Sequence, residues 1–125
     1  MGYRFIAKSG FAACRIPFEE GIKRFPTSNR AEFMIASLAL LAQIEQHKSD
    51  IEYYEALIAG RSIIDFTKGI VELQNAVRFA QEGDKENSSK SYRLSRELQG
   101  EYTLSKSYRR SVRRVLSKYR IKVAL

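Results

Sequence analysis

From Phe33 to Ala80, apolar side chains return every three or four residues, the rhythm that places them on one face of an α-helix. Phe33, Ser37, Leu40, Ile44, His47, Ile51, Tyr54 and Ile58 form the first stripe, widened by Met34, Leu38, Leu41 and Leu57. Pro26-Thr27-Ser28-Asn29 precedes it as a turn and cap, with Glu32 placed three residues after Asn29, and Ser28 is an equally good cap. The pattern runs to Ala59, and Gly60 suits the residue after a helix end. An unbroken helix here would have about 30 residues and span about 45 Å. Ser49 with Glu52 offers a second capping box near His47, but the stripe stays in register across that point, which favours one long helix. A second stripe, Ile63, Phe66, Ile70, Leu73, Val77 and Ala80, starts after Ser62 and ends at Gly83, with Asp65 in its first turn. Helices over about 29–59 and 63–82, joined through Gly60-Arg61-Ser62, read as a long antiparallel hairpin.

Beyond a polar connection from Gly83 to Ser89, where Asp84 or Ser88 can cap, a third stripe contains Leu94, Leu98, Tyr102, Tyr108, Val112, Val115, Leu116, Tyr119 and Val123. Gly100 interrupts it and costs about 1 kcal/mol relative to alanine inside a helix, so two segments are expected, about 86–99 and 103–122. Residues 1–26 lack a clear period. Tyr3, Phe5 and Ala7 alternate like a short strand; Phe11–Cys14 and Phe18–Phe25 each suit a helical turn, and Pro17 and Pro26 punctuate them. This irregular segment is expected to pack its phenylalanines on the rest. The whole is a single all-α domain, a bundle of about four helices over residues 1–125.

Net charge +8 gains meaning from its location. Acidic and basic side chains balance over residues 1–105, and the entire excess falls in 106–125, where Lys106, Arg109, Arg110, Arg113, Arg114, Lys118, Arg120 and Lys122 stand with no acid among them. Segregated charge of this kind concentrates anions locally. At 100° per residue the apolar positions of the C-terminal helix fall in one arc, and the arginines, with Lys106, are expected on the other side. Five of the eight cations are arginine, whose guanidinium fork bonds phosphate oxygens bidentately and keeps its charge. Charges spread over several turns suit a phosphate track better than one small ligand, so DNA or RNA is the expected partner, bound by all eight cations, with Arg109, Arg110, Arg113 and Arg114 expected to carry most of the contact. Tyr92, Tyr102, Tyr108 and Tyr119 either stack on unpaired bases or, as tyrosines on an apolar face usually do, fill the core. A membrane surface suits this helix less well, because its apolar face carries tyrosine and valine and is needed by the bundle. An acidic protein partner is the alternative, making the chain a structural or regulatory interaction module.

Catalytic signals are sparse. The sequence holds no Gly-rich phosphate loop, no HExxH and no nucleophile elbow. His47 is the lone histidine and reads as a buried or bundle-edge residue; Cys14 is the lone cysteine and reads as a small core side chain. No cofactor or metal is expected, since Cys/His ligand spacings are absent and Glu52 with Glu55 reads as a solvated pair. One cysteine, no apolar run of membrane-spanning length and no leader-like N-terminus point to the cytoplasm.

In length, in the helical stripes from Phe33 to Ala80 and in the arginines from Arg109 to Arg120, the chain resembles the small helical subunits of CRISPR effector complexes. That resemblance implies a non-catalytic protein used in several copies, head-to-tail contact between copies within a larger nucleoprotein assembly, and recognition of the strand's backbone rather than its bases.

Overall fold

The computed structural model describes residues 10–100 and 103–123, and among them the chain is all-helical, with six helices and no strand. These are α1 (Gly10–Arg24), α2 (Asn29–Glu45), α3 (Lys48–Ile58), α4 (Asp65–Gln81), α5 (Lys85–Gln99) and α6 (Thr103–Lys118). The alternation of Tyr3, Phe5 and Ala7 lies outside the described residues. The central pair is α2 and α4. Helices α1 and α3 pack on α2, while α5 and α6 pack on α4.

Helix α2 begins at Ser28, whose hydroxyl accepts the Ala31 N–H at 3.1 Å. It is buried on nearly every side from Ala31 to Gln43, as expected of a helix enclosed by neighbours rather than lying at a surface. The long helix expected over 29–59 is two. Gln46 adopts a left-handed conformation (φ 61°), and the His47 N–H donates to Ala42 O at 3.0 Å, a closing pattern that ends the helix. The break leaves the Glu45 carboxylate free to do two things. One oxygen accepts the Phe11 N–H at 2.7 Å, capping the first turn of α1, and the other meets His47 Nε2 at 3.1 Å. Gly10, at φ +75°, makes that cap possible, since a Cβ there would sit 2.5 Å from the Glu45 oxygen. His47 is thus exposed at the bundle edge, tilted against the Phe11 ring.

The N-terminal region is more regular than its prolines suggest. Helix α1 runs through Pro17, which lies on the exposed face, while Phe11, Cys14 and Phe18 are buried. Phe25 does not join them and remains 59% exposed. Helix α3 returns along α1, where the Tyr54 hydroxyl donates to Glu19 Oε1 at 2.5 Å. A polar seam closes the joint of α2, α3 and α4. Gln43 donates to Gln81 Oε1 at 2.7 Å, and Gln74 donates to Glu55 Oε2 at 2.9 Å. Arg78 reaches the same Glu55 oxygen at 3.4 Å. Each amide thereby finds a partner that burial would otherwise deny it.

Cys14 provides a test of this packing. Burial, aided by the nearby Glu45 charge, raises its thiol from 9.0 to about 11. The unfolded thiol therefore ionises first, so the stability this group contributes is complete below pH 9 and is lost as pH climbs toward 11. Urea midpoints measured from pH 8 to 11 should fall, and the fall should be shallower in Cys14→Ala. Tyr54, also raised by burial and then by Glu19, and Tyr92, raised by burial, add slope in the same direction.

Candidate nucleic-acid interface

Helix α5 is capped by Asp84, whose Oδ1 accepts the Asn87 N–H at 3.1 Å. It pairs closely with α4 through small residues. Ser88, Ser91 and Ser95 are buried, and Ser88 donates to Ala76 O at 2.7 Å. Gly69 on α4 faces Gln99, whose amide donates to Phe66 O at 3.0 Å, and a Cβ at Gly69 would overlap Gln99 Cγ. This departs from the expected apolar face. Leu94 is 41% exposed, because it lies about 100° around the helix from Ser95, off the face that α4 covers.

Gly100, at φ +71°, ends α5 and allows the chain to turn into α6. Tyr108, Val112 and Leu116 fix α6 to the bundle. Tyr108 stacks on Phe33 (centroids 5.8 Å apart, planes at 15°) and shares a 2.9 Å hydrogen bond with Ser37. The helix stops at Lys118, earlier than expected. Arg120 is left-handed (φ 61°), the Ile121 N–H donates to Leu116 O at 3.0 Å, and buried Ile121 closes the end. Arg120 and Lys122 therefore follow the helix, at the end where its dipole favours cations.

The eight cations divide into two groups. Lys106, Arg110, Arg114 and Lys118 recur every four residues and are all exposed, a row about 18 Å long on one face. Arg120 and Lys122 extend the exposed set. None of Arg110, Arg114, Lys118, Arg120 and Lys122 pairs with a carboxylate among the described residues. Arg109 and Arg113 are different. Arg109 is only 3% exposed and Arg113 is half-buried, so Arg109 does not belong to the outward row expected of it. On the helical wheel Arg109 lies only about 20° from Leu116, at the rim of the buried arc.

No protein-family model matches the chain, and no curated protein or solved structure shows a significant match. The site rests on its own geometry.

Arg109 and Arg113 lie beside Tyr92 of α5, which is 1% exposed. Burial raises the Tyr92 hydroxyl, and Arg113, Arg109 and Arg96 pull it back down, which places three guanidinium groups around one phenol. Tyr92 OH, Arg109 NH1 and Arg113 Nε are each buried without a hydrogen-bond partner within 3.5 Å among the described residues, although Arg109 lies near enough to the phenol to lower it. Beside Arg113 a small recess opens to solvent, lined also by Ser117, Ile121, Lys122 and Val123. The grouping of Tyr92 and Arg96 with the α6 arginines has no local sequence signal, since it depends on how two helices pack. Tyr92 and Tyr108 both lie in the core, leaving neither ring open to a stacked base; Tyr102 lies outside the described residues. Among the described residues no three metal-ligating side chains gather, and no helix is long and apolar enough to cross a membrane.

Proposed function

We propose that this chain is a non-catalytic nucleic-acid-binding helical protein that holds the phosphate backbone of a strand along α6, as a subunit of a larger nucleoprotein assembly. One observation carries the reading: a four-residue repeat of exposed cations, from Lys106 to Lys118, on a helix anchored by a buried tyrosine. Lysine and arginine held at about 6 Å intervals on a rigid rod form a track for repeated phosphates. Backbone contact is favoured over base contact because Tyr92 and Tyr108 are withdrawn into the core. The sequence's resemblance to small subunits of CRISPR effector complexes is the ground for placing it in an assembly, with other protein subunits, copies of this chain among them, as neighbours.

Salt titration tests the reading. Contact with six phosphates, one for each exposed cation, lowers log K against log salt with a slope of about −4 on single strands. The slope is read from fluorescence anisotropy of a labelled oligonucleotide between 50 and 300 mM salt (roughly the range in which counterion release dominates). A protein with no measurable affinity for DNA or RNA at the lowest salt, but retained by an acidic protein, is an interaction module instead.

A further inference from the structure

We propose that α5 and α6 together form a seat for one phosphate-type oxyanion, held by Arg109, Arg113 and the Tyr92 hydroxyl and entered through the recess beside Arg113. The argument begins with an imbalance. Arg109 is almost wholly buried and its NH1 has no acceptor among the described residues; Arg113 has its Nε buried in the same condition. Neither forms an ion pair among the described residues. A guanidinium cannot escape by losing its proton, and a buried charge without a counter-charge is strongly unfavourable. Two guanidinium groups therefore meet at the α5–α6 joint with no counter-charge among the described residues.

The chemistry of these donors specifies the ligand they suit. The unpartnered guanidinium groups are donors only, and the Tyr92 hydroxyl beside them has a proton to donate. One turn away on each helix, Ser95 and Ser105 also have buried hydroxyls without partners. A ligand that only accepts, through several oxygens, and carries two charges matches two fixed guanidinium groups; a phosphate group has that form. Arg113 belongs both to this group and to the lining of the recess, which it shares with Ser117 and Lys122, so an anion approaching from that side meets positive charge. The seat uses none of the outward row's side chains, so it can be tested apart from them.

Thermal unfolding of the full chain tests it, with sodium phosphate compared against chloride and acetate at matched pH and ionic strength. The expected result is a saturable rise in Tm with phosphate alone, about 5 °C at ten times Kd. Arg109→Met, which keeps the apolar stem and removes the charge, should abolish that rise, and Tyr92→Phe should reduce it. If Arg109→Met does not fold, Arg113→Gln carries the same test on a half-exposed side chain. In Arg110→Gln/Arg114→Gln/Lys118→Gln the phosphate response should persist even where oligonucleotide binding is lost, which separates this site from the strand-binding reading. Loss in Arg109→Met of both the phosphate response and oligonucleotide affinity assigns the seat to a strand phosphate. Loss of the phosphate response alone assigns it to a free phosphate; either supports the site. Equal Tm in phosphate and chloride, equal stabilisation by acetate, or a response undiminished in Arg109→Met overturns it.

Discussion

Replacing Arg110, Arg114 and Lys118 together with glutamine should lower affinity for a single-stranded oligonucleotide about 100-fold at 0.1 M salt while leaving the fold intact. The magnitude follows from counterion release. Each phosphate contact contributes about 0.7 to the salt slope on single strands, so three lost contacts reduce it by about 2 and cost about two decades at 0.1 M. The fold should survive because all three side chains are exposed, none holds a carboxylate among the described residues, and glutamine is a good helix former. Anisotropy titrations at several salt concentrations, with circular dichroism alongside, read both quantities. An affinity and slope equal to wild type would remove the α6 row from the mechanism. Arg109 is deliberately left out of this variant. It is buried beside Tyr92, so changing it alters packing and interior charge as well as any strand contact.

The contrast between Arg110 and Arg109 shows how far the sequence could be read. Charge segregation is a property of the linear sequence, and it correctly located a cation-rich helix with one face against the bundle. Which cations face outward depends on where the neighbouring helices sit. Arg109 is about 20° from Leu116 on the wheel, and the packing of α5 against that edge decides that it is enclosed. Element ends with local causes were equally legible. The cap at Asp84, the left-handed Gly83 and the turn at Gly100 are written in residues whose preferences act over three or four positions.

Features that depend on distant partners were not legible. The break after Glu45 preserves the register of the apolar stripe, because α3 folds back onto the same core, and periodicity cannot distinguish that from a continuous helix. Its reward is tertiary: a carboxylate that caps α1 from 34 residues away. Pro17 gave the opposite error. It reads as a breaker, yet it lies on the exposed face of α1 while Phe11, Cys14 and Phe18 hold the other face in place. The serine stripe of α5 carries no hydrophobic signal of burial. Where Gly69 and Ala76 bring two helices close together, small size decides instead.

Tyr108→Ala should cost about 4 kcal/mol of stability and abolish strand binding, although it removes no charge. Tyr108 is fully buried, stacks on Phe33 and bonds Ser37, so it is the point at which α6 is tied to the central helix α2. Truncation removes a large apolar ring, opens a cavity and leaves the Ser37 hydroxyl without its partner. Cations on a loosened helix no longer keep fixed spacing, and a strand must then order them at an entropic cost before it binds. The milder Tyr108→Phe keeps the ring and removes the bond to Ser37, with an expected cost of about 1–3 kcal/mol and near-normal binding. Adding Ser37→Ala to Tyr108→Phe removes both halves of the bond, so the double variant should be more stable than the sum of the two single losses implies. Urea unfolding of the four proteins gives the coupling, and oligonucleotide titration of Tyr108→Ala gives the link to function. If Tyr108→Ala unfolds at the wild-type midpoint, or binds strands as tightly, α6 does not need its anchor, and the rigid-track argument fails with it.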